Sequence, residues 1–126
     1  MIQTYFARVR NKLKDISALI KADTVTLEMV SADMGMLRGR VAFIDSSVLN
    51  FRELLSTKEH DYRFHWMDAS NKLIVLWDTA PHYKNLDNFP YHKHLSRGVS
   101  SSVEMDFVAV LDYIKQEIVF KRLGHK

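Results

Sequence analysis

Alternation of apolar and polar residues through the middle of this 126-residue chain is the feature that most constrains its fold. Such period-two patterns are typical of strands whose two faces meet different surroundings. We predict strands at residues 24–33, 37–44, 48–55, 62–67 and 72–78, although 48–55 also suits a short helix. Because successive strands with short turns pair antiparallel, the pattern predicts an antiparallel meander sheet of about five strands.

Apolar residues spaced three and four apart indicate a helix on each side of this region. The N-terminal helix is expected over residues 2–21, and the C-terminal helix from about Val103 to Arg122. Ser101 and Glu104 fit a capping box for the second helix. With the helices covering one or both faces of the sheet, the chain is predicted to be a single α+β domain over residues 1–126.

Composition excludes several classes of protein. The chain has no cysteine, so disulfide frameworks, thiolate metal sites and cysteine nucleophiles are excluded. No segment approaches the roughly 18 apolar residues of a membrane span, so we expect no membrane association and a cytoplasmic location. The net charge of +3 permits a polyanionic partner without requiring one. The first helix has a basic face, which is either solvated or binds nucleic acid or an acidic partner; it carries Arg8, Arg10, Lys12, Lys14 and Lys21.

The hairpin formed by residues 62–67 and 72–78 leads directly into the most unusual part of the chain. If its turn is symmetric about Ser70, His65 is expected opposite Val75 and Arg63 opposite Trp77. His65 and Arg63 would then share one face near the end of the hairpin. A shift of the register by one residue would reverse the face on which His65 lies.

The segment from Trp77 to His94 contains both prolines and three of the six histidines of the chain. Each proline stands two residues before a histidine, so one rigid φ angle precedes each imidazole. Such an arrangement fixes the direction of the backbone where side chains must be aimed. We therefore expect the functional site in this segment.

The residues here suit cleavage of RNA without a metal ion. That reaction needs a base and an acid, which imidazoles provide near neutral pH, and a cation beside the phosphorane. We expect His82 or His92 as base, Lys93 or Arg63 as cation, and Asp78 to orient an imidazole. The predicted catalytic residues are His65, Asp78, His82, His92, Lys93 and His94. The predicted substrate-binding residues are Arg63, Tyr83 and Tyr91, with the tyrosines able to stack a base.

A metal site is the competing interpretation of the same histidines. If residues 92–94 are extended, His92 and His94 point to the same side, and His82 and Asp78 could complete a set of nitrogen and oxygen ligands. We expect no cofactor; a metal, if bound, would be held by His82, His92 and His94. Each histidine taken alone is also compatible with a structural role in a polar loop.

Three segments of the chain are similar to the signature of the TumE family, whose members are toxins of toxin–antitoxin modules. They are Tyr-Arg-Phe-His-Trp at 62–66, Trp-Asp-Thr-Ala-Pro-His at 77–82 and Phe-Pro-Tyr-His-Lys-His at 89–94. Matched residue by residue, the resemblance picks out His65, Asp78, Pro81, His82, Pro90, His92, Lys93 and His94. The chain departs from the family pattern at Leu76, Thr79, Tyr83 and Tyr91.

The resemblance implies a toxin whose partner is a small helix-turn-helix antitoxin. By analogy with other small toxins that combine a helix with an antiparallel sheet, RNA is the expected substrate. The leading hypothesis is therefore a metal-independent ribonuclease with a histidine-rich pocket. The alternatives are a non-catalytic protein that binds an antitoxin, nucleic acid or a second copy of itself, and a metal-dependent hydrolase. The open edges of a meander sheet make a homodimer a further expectation.

Overall fold

The structure, a computed structural model, describes residues 1–124, with side chains described for residues 1–121. Helix α1 spans Ile2–Asp15, and a single 3-10 turn follows at Ser17–Leu19. The strands are β1 Ile20–Asp23, β2 Thr26–Ser31, β3 Met34–Phe43, β4 Val48–Ser56, β5 His60–Met67, β6 Leu73–Asp78, β7 His92–Leu95 and β8 Gly98–Ser101. Helix α2 spans Phe107–Gly124.

All strands belong to one antiparallel sheet, which confirms the predicted α+β class with a helix at each end of the chain. The strand order is β1-β3-β4-β5-β6-β7-β8, and β2 pairs with β3 beside β1. The sheet has eight strands where about five were expected. The additional strands are β1, whose first two residues fall in the predicted N-terminal helix, and β7 and β8, which follow most of the proline-containing segment.

The N-terminal helix is shorter than predicted because its last turn becomes an edge strand. Helix α1 ends at Asp15, and β1 pairs with β3 so that Ile20 lies opposite Phe43. The side chain of Ile20 continues the helical spacing of apolar residues, which explains the wrong boundary. A β-branched residue suits a strand better, and pairing with β3 decides the outcome.

Both helices pack against the same face of the sheet, which we call the helix face. The rings of Phe51 on β4 and Phe107 on α2 stack with their centroids 4.0 Å apart. Tyr113 on α2 meets Trp66 and Trp77 edge-on. Each large apolar side chain buried here stabilises the fold by about 1.5–3 kcal/mol. Alternate sheet residues form the core with the helices: Leu37, Val41, Phe43, Leu49, Phe51, Phe64, Trp66, Val75 and Trp77.

The predicted register of the hairpin between β5 and β6 is wrong beyond the residues next to the turn, because the pairing contains a one-residue bulge. Next to the turn, Met67 lies opposite Leu73, as expected for a turn symmetric about Ser70. The register then shifts by one residue on β6, so His65 pairs with Leu76 and Arg63 pairs with Asp78. Such bulges add one residue to one strand. The shift places Trp77 on the helix face and Asp78 on the face that carries Arg63 and His65.

The second helix begins at Phe107 and not at Val103, so the predicted capping box does not form. Ser101 lies in β8, and the Glu104 carboxylate instead contacts His60, with Oε2 and Nδ1 2.6 Å apart. Asp106 caps the helix, because its Oδ1 accepts the backbone N–H of Ala109 at 2.8 Å.

Candidate active site on the open sheet face

The face of the sheet opposite the helices, which we call the open face, carries the polar residues of interest in two neighbouring rows. Each row crosses the sheet perpendicular to the strands, because directly paired residues share a face. The first row contains Arg38, Arg52, Arg63, Asp78 and His92 on β3 to β7. The second contains Arg40, Asn50, His65, Leu76 and His94 on the same strands. Antiparallel pairing thus assembles residues that are up to 54 positions apart in sequence.

Asp78, at the end of β6, is the centre of this arrangement. Only 6% of Asp78 is exposed to solvent, and its Oδ1 accepts a hydrogen bond from the backbone N–H of Ala80 at 3.0 Å. The same oxygen lies 2.6 Å from His92 Nε2. The other oxygen, Oδ2, lies 3.8 Å from Arg63 Nη1 and 3.9 Å from His94 Nε2. One buried carboxylate therefore faces two imidazoles and a guanidinium.

His92 is 2% exposed, so its side chain is not accessible to a large substrate. Its Nδ1 lies 3.0 Å from the carbonyl oxygen of Pro90, to which it donates a hydrogen bond. This bond leaves Nε2 to face Asp78, where no aligned hydrogen bond forms despite the short distance. The cis peptide bond between Phe89 and Pro90 lies just before this contact.

His94 is more accessible than His92, with 23% of its side chain exposed. The ring of Tyr83, from the loop between β6 and β7, lies against both imidazoles, with centroids 4.9 Å from His92 and 5.7 Å from His94. Burial lowers the pKa of His94; the Asp78 carboxylate acts in the opposite direction, and the neighbouring His92 and Arg63 add to the lowering. The loop thus covers His92 while leaving His94 in contact with solvent.

His65 and Arg63 complete the accessible part of the site on β5. The side chain of Arg63 is 49% exposed, and His65 is half-buried. Burial and the neighbouring Arg63 charge lower the pKa of His65, so its imidazole is neutral near pH 7. Two depressions of about 380 and 160 Å³ adjoin these residues, and both are lined by Arg52 and Arg63.

Other residues that the sequence indicated lie elsewhere. Lys93 pairs with Trp77 and lines a cavity of about 510 Å³ on the helix face, so it is separated from Asp78 by the sheet. Tyr91 stacks on Tyr62 with centroids 6.3 Å apart, also on the helix side. His82 is exposed in the loop, where its backbone N–H donates to the Ala80 carbonyl oxygen at 2.9 Å.

The arrangement also contains a set of donor atoms that could hold a metal ion. One atom each from Asp78, His92 and His94 lie within 4.8 Å of one another. Nitrogen and carboxylate ligands of this kind suit zinc and other divalent transition metals. The bond from His92 Nδ1 to Pro90 resembles the supporting contacts that orient metal-binding histidines. His82, which the sequence suggested as a ligand, is not part of this set.

A second polar cluster, which sequence reasoning missed, lies under the helices. Glu53 is 1% exposed and accepts a 2.6 Å hydrogen bond from Tyr5 Oη. Its other oxygen lies 2.6 Å from His60 Nε2, and His60 Nδ1 lies 2.6 Å from Glu104. Burial raises the pKa of Glu53. Burial also acts to lower the pKa of His60, but its hydrogen bonds to Glu53 and Glu104 outweigh this effect and raise it. The cluster consists of Tyr5, Glu53, His60 and Glu104, which form no local sequence motif from which it could be predicted.

Comparison with known proteins identifies the family. The family model described as Toxin TumE matches residues 9–118, which include both rows of the open face. No curated protein and no solved structure matches the chain. Neither helix in the described residues is long and apolar enough to cross a membrane. Because the match covers most of the chain, this protein belongs to the TumE family and is the toxin component of a toxin–antitoxin module, with an antitoxin as its partner.

Proposed function

We propose that this toxin is a metal-independent ribonuclease in which His65 and His94 act on either side of the scissile phosphate. The observation that carries the proposal is their position in one cross-strand row, separated by Leu76 alone. Neighbouring strands are about 4.8 Å apart, so the Cα atoms of the two histidines are separated by roughly 10 Å. A phosphate lying above Leu76 would then have one imidazole on each side.

The charges around each histidine favour different roles. His65 stands beside Arg63 and is neutral, which suits a general base that removes the proton from the 2′-hydroxyl. The Asp78 carboxylate, 3.9 Å from His94, opposes the effect of burial, which lowers the pKa of His94 in the free protein; this carboxylate suits His94 to the role of general acid. A bound phosphate adds further negative charge and raises the pKa of His94 in the complex. This assignment differs from the prediction that His82 or His92 is the base.

The reaction is the transfer of the phosphate from the 5′-oxygen of the next nucleotide to the neighbouring 2′-oxygen. The 2′-oxygen attacks phosphorus as His65 takes its proton, and the bond to the 5′-oxygen breaks as His94 protonates that oxygen. The products carry a 2′,3′-cyclic phosphate and a 5′-hydroxyl. Arg63, half-exposed beside the row, would stabilise the charge on the phosphorane, as preorganised cations do in phosphoryl transfer. Buried His92 contacts the Asp78 carboxylate, and Asp78 in turn orients His94.

A metal-dependent hydrolase is the second candidate, favoured by the donor atoms of Asp78, His92 and His94 within 4.8 Å of one another. The two candidates differ in a simple way. Chelation with EDTA leaves the first mechanism unchanged. It abolishes the second, and addition of zinc or manganese then restores activity.

Cleavage of a defined single-stranded RNA by purified toxin tests the proposal. His65→Ala and His94→Ala are each expected to lose activity by about 100-fold or more, the typical contribution of one acid or base. His82→Ala is the matched control, since it removes an exposed imidazole outside both rows, and it should cleave like the wild type. Cyclic phosphate ends that form in EDTA support the proposal. Full activity in both variants would overturn it.

Growth assays separate catalysis from binding. Intact RNA in cells arrested equally by the wild type and by the His65→Ala, His94→Ala double variant would indicate a non-catalytic toxin. For the partner, we propose a helix-turn-helix antitoxin, which the family resemblance implied. Co-expression with the neighbouring gene product, followed by size-exclusion chromatography, tests whether the pair forms a stable complex.

A further inference from the structure

Four arginines occupy the part of the open face next to the proposed site. Arg38, Arg52 and Arg63 lie directly opposite one another on β3, β4 and β5, and Arg40 follows two residues after Arg38. All four are exposed. Like charges placed directly opposite each other in a sheet are destabilising. The fold therefore keeps a repulsive arrangement on its surface.

Carboxylates do little to neutralise Arg38, Arg40 and Arg52, whereas Arg63 lies 3.8 Å from Asp78. Among the described side chains, no Asp or Glu oxygen lies within 4.0 Å of Arg38, Arg40 or Arg52. Glu28 and Asp61 lie in the adjacent row, on the side away from Arg40 and the histidines. These two carboxylates therefore lie away from the second row, which contains His65 and His94.

The arginines are continuous with the proposed site. Arg52 and Arg63 line both depressions beside it; the smaller also includes Asn50 and His65, and the larger also includes Asp61 and Asp78. The opposite side of the site is different. There β8 places Val99 opposite His94 and Ser101 opposite His92, and neither carries a charge. Among the residues of the two rows and their partners on β8, the arginines therefore lie on one side of the site only.

We infer that the backbone of single-stranded RNA crosses the strands along Arg63, Arg52, Arg38 and Arg40, so that phosphates on one side of the cleavage point are bound. This inference rests on the proposed function. Arginine forms charge-assisted hydrogen bonds with phosphate oxygens, often in pairs. On β3 to β5 the two rows contain no Phe, Tyr or Trp that could stack a base. Recognition on this side therefore depends on phosphates and is independent of base sequence.

Salt-dependent binding tests the inference without using cleavage. We would measure the affinity of a fluorescent single-stranded RNA 12-mer by anisotropy between 50 and 300 mM NaCl, with all variants made in the His65→Ala background. For single strands the slope of log K against log salt changes by about 0.7 for each phosphate contact. Arg38→Gln with Arg52→Gln should therefore reduce the slope by about 1.4 and weaken binding at least tenfold at low salt.

Arg8→Gln with Arg10→Gln is the matched control. It removes the same charge from exposed positions on α1, on the other side of the sheet, and should leave the slope unchanged. Thermal unfolding controls for folding, because loss of the two like-charged pairs that Arg52 forms with Arg38 and Arg63 should leave the melting temperature unchanged or raise it. Equal slopes for the two double variants would overturn the inference. Normal RNA binding by the Arg38→Gln, Arg52→Gln variant would also overturn it. If that variant lost the antitoxin complex instead, the arginines would form an antitoxin-binding surface.

Substrate length provides a second test. In otherwise wild-type protein, RNA extended by three nucleotides on one side of the cleavage point should show a lower KM, whereas extension on the other side should have no effect. The Arg38→Gln, Arg52→Gln variant should lose that advantage while its kcat on the shortest substrate stays unchanged. Equal benefit from both extensions would overturn the inference. If no RNA is cleaved under any condition, the proposed function fails. The binding experiment still decides whether the four arginines bind RNA.

Discussion

Replacement of Glu53 tests how the buried cluster under the helices contributes to stability. Glu53→Ala removes an acceptor that serves both Tyr5 Oη and His60 Nε2 at 2.6 Å. Hydrogen bonds to a charged group contribute about 1.5–3 kcal/mol each, and the partners are left without their acceptor. We therefore expect Glu53→Ala to reduce the free energy of unfolding by about 3–5 kcal/mol. Glu53→Gln keeps an oxygen for Tyr5 and a donor for neutral His60, so its cost should be near 1 kcal/mol.

The same cluster predicts how stability depends on pH. The folded state raises the pKa of both Glu53 and His60, so the folded protein binds more protons than the unfolded chain. The stabilisation from His60 is complete below its unfolded pKa near 6.5 and is lost as pH rises through the folded value. Glu53 acts in the same direction, and its contribution is lost as pH rises from its ordinary pKa of 4.5 through the raised folded value. Stability should therefore fall above pH 6.5, by at most about 1.4 kcal/mol per pH unit for each proton.

Urea unfolding followed by tryptophan fluorescence between pH 5.5 and 9 measures both effects, because Trp66 and Trp77 are buried in the core. The wild type should lose stability above pH 6.5, and Glu53→Gln should flatten the curve there by removing one of the two titrating groups. Lys12→Ala is a suitable control, since it breaks a surface pair with Asp112 and should cost less than about 1 kcal/mol at every pH. A wild-type curve that is flat or rises above pH 6.5 would refute the reasoning.

Three further substitutions test the placement of individual residues. Lys93→Ala should leave the rate of RNA cleavage within a few-fold of the wild type, because Lys93 lies on the helix face; a 100-fold loss would contradict this placement. Asp106→Ala should lower the free energy of unfolding by about 1 kcal/mol through loss of the α2 cap, with an unchanged cleavage rate. Gly39→Ala should destabilise the fold by about 1–3 kcal/mol, since its φ is 153° and a Cβ there would lie 2.7 Å from the Thr24 carbonyl oxygen. Chemical denaturation measures the last two, and wild-type stability in either variant would count against the reason given.

Period-two alternation was sufficient to predict the face on which most strand residues lie. It identified the sheet, the α+β class and the shared face of Arg63 and His65, because burial of one face imposes that pattern on any sequence. The same rule applies to residues 92–94. In an extended segment His92 and His94 point one way and Lys93 the other, so the position of Lys93 on the helix face follows from the geometry that brings the two histidines together.

Sequence alone was less informative about which strands are neighbours and how they align. The row of Arg38, Arg52 and Arg63 depends on the pairing of β3, β4 and β5, and each arginine by itself resembles a solvated surface residue. Strands β1, β7 and β8 have only four residues each, too few for a period to be recognised. The cluster of Tyr5, Glu53, His60 and Glu104 joins α1, two strands and the segment before α2, and so it depends on tertiary packing.

The bulge between β5 and β6 shows why the site could be located but not assembled from sequence. A turn symmetric about Ser70 continued without interruption would place Trp77 opposite Arg63, on the open face, and would turn Asp78 towards the core. Exposure of one indole and burial of an unpaired carboxylate would each cost several kcal/mol. One additional residue on β6 avoids both costs and brings the Asp78 carboxylate to within 3.8 Å of Arg63 and 3.9 Å of His94. The burial of Trp77 and the proposed chemistry at Asp78 therefore require the same shift in register, so the core that stabilises the fold also aligns its candidate active site.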